Sequence, residues 1–331
     1  MGATVQLTKK DFVSDQEVRW CPGCADFAIL ATVQKLMPEL GIKREDIVFV
    51  SGIGCSSRFP YYMNTYGFHG IHGRAPAIAT GLKMSRPDLQ VWVVTGDGDG
   101  LSIGGNHFIH MLRRNVDLKI LLFDNRIYGL TKGQASPTSE LGKKTKSTPF
   151  GTTDRPFNPL ALALGANATF VARTVATDTP HMLATLRRAA QHQGSALVHI
   201  WQNCPVFNDG AFEGFAAKDV RDDQLIKLEH GKPIVFGKAK DKSIKPGKGF
   251  TLEVGATSEA LVHDESVESP TLAMALANLE PPDPQVLGVL RAVQAPTVDQ
   301  LVWEQERVAL EAKGPKDLEA LLGSGDTWAI D

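Results

Sequence analysis

The chain has 331 residues, enough for about two domains or one large α/β domain with appendages around a sizeable core. Its 35 Lys and Arg against 37 Asp and Glu leave a formal net charge of −2, which excludes a protein whose affinity for nucleic acid rests on bulk charge. Met1 to Asp15 lack the apolar core of a secretory signal, and no run of about 18 apolar residues marks a membrane span, so a soluble cytoplasmic protein is expected.

Helix-like and strand-like stretches alternate from the N-terminus. Asp26 to Leu40 reads as a helix, Ile47 to Val50 as a strand, Pro76 to Met84 as a helix and Val91 to Val94 as a strand. Asn106 to Asn115 reads as a helix, Leu118 to Phe123 as a strand, Pro159 to Gly165 as a helix and Thr169 to Val171 as a strand. Pro180 to Gln193 and Ala196 to Trp201 complete the series as helix and strand. Short apolar runs alternating with helices predict right-handed βαβ units, hence an α/β fold with a mainly parallel sheet flanked by helices.

The texture changes after Phe215, which divides the chain into a site-bearing domain over 1–215, a linker or arm over 216–268 and a helical C-terminal extension over 269–331. The middle segment carries a lysine-rich, Gly/Pro-punctuated stretch with Lys238, Lys240, Lys242, Lys245 and Lys248. In the extension, Thr297 with Gln300 three residues on is a capping-box candidate.

Glycine is concentrated between Gly52 and Gly105, 11 in 54 residues where 31 in 331 predicts about five, a sign of close backbone approach to a ligand. Within that span, Thr95-Gly96-Asp97-Gly98-Asp99-Gly100 follows a strand directly, at the edge where open α/β sheets bind ligands. The next strand ends in Asp124-Asn125-Arg126-Ile127-Tyr128-Gly129, so Asp97 and Asn125 emerge at one edge and can share one ion. Mg²⁺ takes six oxygens and commonly pairs one or two carboxylates with substrate phosphates; Asp97, the Asn125 amide oxygen, the Ile127 carbonyl and two diphosphate oxygens suit it. A Gly-Asp-Gly turn that merely ends a strand is the plain alternative.

The four cysteines form Cys21-Pro22-Gly23-Cys24 plus two distant singles, Cys55 and Cys204. This departs from the two-pair spacing of structural zinc and suits a tetrathiolate iron–sulfur cluster, with zinc as the rival and a thioredoxin-like dithiol weaker because it leaves Cys55 and Cys204 without a role. His107 and His110 lie three apart on a helix but lack an obvious third ligand.

Trp20-Cys21-Pro22-Gly23-Cys24, Gly52-Ile53-Gly54-Cys55-Ser56, His72-Gly73-Arg74, Gly96-Asp97-Gly98-Asp99 and Asn125-x-Ile127-Tyr128-Gly129-Leu130-Thr131-Lys132-Gly133-Gln134 occur in one order. From about Glu17 to Phe215 the chain resembles the β subunit of a 2-oxoacid:ferredoxin oxidoreductase, with Ala25 where the family usually has Gly. The resemblance implies a thiamine diphosphate-binding fold in which Cys21, Cys24, Cys55 and Cys204 hold one [4Fe-4S] cluster. It further implies that Asp97, Asn125 and the Ile127 carbonyl hold Mg²⁺ on thiamine diphosphate, with Ile53, Gly54, Cys55, Ser56, Gly98, Asp99, Gly129 and Leu130 lining the cofactor. Arg58, His72 and Lys132 are the expected substrate-facing residues.

The implied activity is coenzyme A-dependent oxidative decarboxylation of a 2-oxoacid to an acyl-CoA and CO₂ with reduction of ferredoxin, possible in either direction. Leu130 to Gln134 followed by Ser136-Pro137-Thr138 resembles the 2-oxoglutarate branch, with pyruvate the runner-up and a non-oxidative thiamine-dependent decarboxylase subunit the alternative. The Glu that thiamine enzymes place on the aminopyrimidine comes from the α subunit in this family, so an α/β heterodimer, or a dimer of heterodimers, is expected and the β chain alone should be inactive.

Overall fold

The computed structural model describes residues 7–314, 317–328 and 330; residues 1–6, 315, 316, 329 and 331, which belong to the expected first domain and C-terminal extension, lie outside it. The strands in chain order are β1 (Ile47–Ser51), β2 (Tyr66–His69), β3 (Gln90–Gly96), β4 (Lys119–Asp124), β5 (Phe170–Val175), β6 (Ala196–Trp201), β7 (Leu225–Lys227), β8 (Val235–Phe236), β9 (Lys242–Pro246), β10 (Leu252–Ala256) and β11 (Gln285–Ala292). Eight of them form one sheet in the order β2-β1-β3-β4-β6-β5-β11-β7, parallel at every junction except β11 against β5. The mainly parallel sheet expected from the alternating pattern is the one observed.

Every residue of β1, β4, β5 and β6 is buried, as strands covered on both faces must be. Because side chains alternate along a strand, neighbours feed opposite cores. Val48, Val50, Val91 and Val93 pack on one side, and Ile47, Phe49, Trp92 and Val94 on the other. The flanking helices are α1 (Asp26–Leu36), α2 (Ala75–Ser85), α3 (Asp97–Leu101), α4 (Gly105–Arg113), α5 (Pro159–Gly165), α6 (Thr179–Gln191), α7 (Thr271–Ala277) and α8 (Val298–Lys313). Helices α2, α5 and α6 start with proline in their first turn, where the missing N–H costs nothing. At the start of α8 the Thr297 N–H donates to Gln300 Oε1 at 3.2 Å, half of the expected capping box.

The region after residue 215 carries more strand than its composition suggests. Strands β8, β9 and β10 form a small antiparallel sheet inside 216–268, and β7 joins the main sheet. On β9, Ser243 and Ile244 are buried between Lys242 and Lys245, which pair with Asp223 at 2.9 Å and Glu259 at 3.2 Å. The lysines that suggested a solvated arm are thus partly neutralised, and a single large apolar residue, Ile244, anchors the strand in the core. Within 269–331, β11 inserts beside β5, so the extension is not wholly helical. Among the described residues, no helix is long and apolar enough to cross a membrane.

Candidate active site

Strands β3 and β4 are direct neighbours, with Gly96 opposite Phe123, so the chain leaves both at the same edge. Asp97 follows β3 as the first residue of α3, and Asn125 follows β4. Together with the loop after β1, these segments enclose a cavity of about 430 Å³. Its lining comes from Ile53, Gly54, Cys55 and Ser56 after β1, from Asp97, Gly98 and Asp99 of α3, from Asn125, Ile127, Gly129 and Leu130 after β4, and from His72.

Each wall is fixed by a specific contact. The Asp99 carboxylate accepts the backbone N–H groups of Ile53 at 3.1 Å and Gly73 at 2.7 Å through Oδ1, and the Thr95 hydroxyl at 2.8 Å through Oδ2. It therefore ties the β1 loop and the His72 loop to α3. Only glycine fits at 52, since a Cβ there would lie 2.0 Å from Asp99 Oδ2. The Tyr128 hydroxyl donates to the Gly98 carbonyl at 3.0 Å, with its ring so close that a Cβ on Gly98 would lie 2.2 Å from it. Asn125 Oδ1 accepts the Ile127 N–H at 3.1 Å, folding that segment into an Asx turn.

Asp97 is 3% exposed. Burial and the nearby Asp124 push its carboxyl up to about 7. Burial would raise Asp124 as well, but the hydrogen bond from His199 Nε2 at 2.8 Å and the electrostatic pull of His199, with the charge of Arg126 and the Thr138 hydroxyl, together outweigh it and hold Asp124 below the usual carboxylate range.

Two of the cysteines, Cys55 and Cys204, reach the same cavity lining. A Cβ on Gly129 would lie 3.6 Å from Cys204 Sγ and 3.8 Å from Cys55 Sγ, so both sulfurs rest against the backbone that lines the cavity. The Trp20 indole N–H donates to the Cys55 carbonyl at 2.7 Å, and Gln202 Nε2 donates to Cys24 Sγ at 3.2 Å. Burial first, then the charge of Asp26, raises the Cys24 and Cys55 thiols; Cys55 and Cys204 further raise Cys24, and Cys204 and Cys21 further raise Cys55. Cys24, Cys55 and Cys204 thus lie within electrostatic reach of one another, and Cys21 within reach of Cys55. Among the described residues, no three His, Cys, Asp or Glu side chains stand together as the ligands of a single metal ion would.

The profile of the family described as thiamine pyrophosphate enzyme, C-terminal TPP binding domain, matches residues 52–200, which hold most of this cavity. The chain is 57% identical to the 2-oxoglutarate oxidoreductase subunit KorB of Mycobacterium tuberculosis over 353 aligned positions, covering 100% of this chain and 94% of that protein. It belongs to the β subunits of the 2-oxoacid:ferredoxin oxidoreductases. A 2-oxoacid:ferredoxin oxidoreductase subunit beta from a Sulfolobus species is 47% identical over 63% of this chain and 68% of its own length. Among solved structures, the 2-oxoglutarate:ferredoxin oxidoreductase from Magnetococcus marinus with 2-oxoglutarate, coenzyme A and succinyl-CoA bound has a TM-score of 0.79 at 36% identity, covering 98% of this chain and 97% of that one. As an oxidoreductase β subunit, the chain binds thiamine diphosphate and works with a partner subunit.

The expected cofactor-lining residues come together in this β subunit; the expected substrate-facing ones do not. His72 lines the cavity, whereas Arg58 and Lys132 are not part of its wall. Arg58 donates to the Arg19 carbonyl at 2.6 Å, and Lys132 sits exposed in a turn with φ 73°. Several lining residues, among them Ile103, Phe123 and Asp26, were not expected from the sequence, and Asp26 is the charged one. Asp26 is 1% exposed, and burial pushes it up to about 7 against the opposing pull of Gln202 and Cys24. Its signal was an acidic residue two positions after Cys-x-x-Cys, which reads as an ordinary helix-start carboxylate.

Proposed function

We propose that this chain is the β subunit of a 2-oxoglutarate:ferredoxin oxidoreductase that converts 2-oxoglutarate and coenzyme A to succinyl-CoA and CO₂ and passes two electrons to ferredoxin. The full-length relative named for 2-oxoglutarate and the neighbour solved with 2-oxoglutarate, coenzyme A and succinyl-CoA support this choice of substrate over pyruvate. The observation that carries the proposal is that cavity and cysteines meet: Cys55 and Gly129 both line the cavity, and a Cβ on Gly129 would lie 3.8 Å from Cys55 Sγ and 3.6 Å from Cys204 Sγ.

In this reading Asp97, Asn125 and the Ile127 carbonyl hold Mg²⁺ on the diphosphate. The fit rests on Asp97, Asn125 and Ile127 lining one cavity; burial and Asp124 disfavour the charge of the Asp97 carboxylate, and a divalent cation would restore it. When bound, thiamine diphosphate supplies the electron sink that lets CO₂ leave the oxoacid. The chain's own part is to hold it: Asp99 fixes the loops around it, Gly98 admits it closely, and Tyr128 braces Gly98. Cys21, Cys24, Cys55 and Cys204 hold one [4Fe-4S] cluster. Three thiols that sense one another and a fourth, Cys21, that senses Cys55, without forming a single-ion site among the described residues, suit a polynuclear cluster better than zinc, since such a cluster keeps its thiolates further apart. Among the three expected substrate-facing residues, His72 is the one assigned here to contact substrate or diphosphate.

Metal analysis of the anaerobically purified complex with its α subunit tests the reading. Iron and acid-labile sulfide near four each per β chain support it. Magnesium without iron would favour a non-oxidative decarboxylase subunit, and zinc would favour a structural tetrathiolate.

A further inference from the structure

The Ser136-Pro137-Thr138 stretch closes on Asp97 from outside the cavity. Both hydroxyls donate to one carboxylate oxygen, Oδ2, Ser136 Oγ at 2.5 Å and Thr138 Oγ1 at 2.6 Å. All three residues are buried. The clasp engages Oδ2 and so fixes the carboxylate plane, leaving Oδ1 to serve the cavity that Asp97 lines.

Thr138 faces a competitor, because its Oγ1 also stands 2.8 Å from Asp124 Oδ1. A hydroxyl has one proton and serves one carboxylate at a time. The far side of Asp124 decides which. Arg173 Nε lies 3.2 Å from His199 Nδ1, and a guanidinium only donates, so Nδ1 is the acceptor. The proton of this buried imidazole is therefore on Nε2, which donates to Asp124 Oδ2 at 2.8 Å. Asp124 Oδ1 in turn accepts the Arg126 backbone N–H at 3.1 Å. Each Asp124 oxygen thus already accepts one donor, which weakens its pull on the Thr138 proton, and Asp97 Oδ2 stands nearer to Thr138 Oγ1, at 2.6 Å against 2.8 Å, so the proton goes to Asp97. Arg173 is itself seated over the Trp201 ring at 4.5 Å, and Arg173, His199 and Asp124 are each no more than 4% exposed.

We propose that Arg173, His199 and Asp124 are positioning residues that hold the Thr138 hydroxyl on Asp97, so that this carboxylate presents one fixed oxygen to the Mg²⁺ of bound thiamine diphosphate. The inference rests on the reading of Asp97 as a Mg²⁺ ligand. A chain of matched donors and acceptors is stiffer than its separate links, and its loss frees the carboxylate to rotate.

The test is the Mg²⁺ dependence of thiamine diphosphate binding to the α/β complex, read by calorimetry. Thr138→Val keeps the shape and removes the proton; it is expected to raise the Mg²⁺ concentration for half-saturation roughly tenfold, the scale of one hydrogen bond to a charged group. Thr138→Ser should restore it to within about twofold, since the hydroxyl returns. His199→Leu should shift it in the same direction as Thr138→Val, because Asp124 then draws the Thr138 proton away, and His199→Gln, which can still accept and donate, should shift it less. If His199→Leu fails to fold, the Val and Ser pair at 138 decides. Wild-type Mg²⁺ dependence in Thr138→Val, with unchanged thermal unfolding of the complex, would overturn the inference while leaving Asp97 as ligand, provided Asp97→Asn abolishes the Mg²⁺ effect. Should Asp97→Asn also bind normally, the Mg²⁺ reading itself fails, and the inference with it.

Discussion

The carboxylate of Asp99, in the first turn of α3, holds the backbone N–H of Gly73 at 2.7 Å across 26 residues of chain. The same oxygen takes the Ile53 N–H, so one side chain sets the positions of two cavity walls. Asp99→Ala would orphan both N–H groups at a cost of about 1–3 kcal/mol each. The expected result is a drop in melting temperature and at least about tenfold weaker thiamine diphosphate binding. Asp99→Asn keeps an acceptor oxygen and should be milder. Thermal unfolding and calorimetry of the two variants check the order.

At Gly98 the backbone lies directly beneath the Tyr128 ring. Gly98→Ala should therefore destabilise the complex by about 1–3 kcal/mol through overpacking and displace the ring. Combining it with Tyr128→Ala should recover part of the stability but not cofactor affinity, because Tyr128 also lines the cavity. Equal losses in the single and double variants, measured by denaturant unfolding, would contradict this picture.

Cys55 belongs to both the cavity wall and the thiol group, whereas Cys204 approaches only through its sulfur behind Gly129. Cys55→Ala is expected to remove iron and weaken thiamine diphosphate binding, and Cys204→Ala to remove iron with a smaller effect on the cofactor. Iron content and visible absorbance, set beside cofactor titrations of each variant, distinguish the two. Full iron in the Cys55 variant would break the four-cysteine assignment.

His192 is 6% exposed, with its Nε2 2.9 Å from the Thr169 hydroxyl. Burial, then the charge of Lys119, pushes its imidazole down to about 4. A base whose folded value lies below its unfolded value binds fewer protons when folded, so its contribution is complete above the ordinary histidine range near 6.5 and is lost as pH falls from there toward about 4. The loss amounts to as much as about 3 kcal/mol. His192→Gln should flatten the fall in stability across that window, as followed by urea unfolding at a series of pH values.

The chemistry of this site was more legible in the sequence than the outer parts of the fold. Gly-Asp-Gly after one strand and Asn after the next place two oxygens together whenever the strands are parallel neighbours, and the short right-handed crossover through α4 makes β3 and β4 such neighbours. The five central strands were readable because full burial on both faces forces continuous apolar runs, as in Ala196–Trp201. Strand β9 was not, because Lys242 and Lys245 dominate a pattern whose single anchor is Ile244. Strand β11 was hidden among Pro-bounded helical segments, and its pairing with β5 is a long-range contact without a local signal. Arg58 donates through Nη1 to the Arg19 carbonyl and lies outside the cavity lining, a placement that its charge type alone does not reveal.

The measurement that bears most directly on the central claim is anaerobic turnover of the purified α/β complex with 2-oxoglutarate, coenzyme A and oxidised ferredoxin, following ferredoxin reduction and acyl-CoA together. The account predicts 2-oxoglutarate-dependent reduction of ferredoxin with succinyl-CoA formed in step, faster than with pyruvate and abolished by Cys55→Ala. Release of CO₂ from 2-oxoglutarate with no ferredoxin reduced, or full reduction by the Cys55 variant, would contradict it.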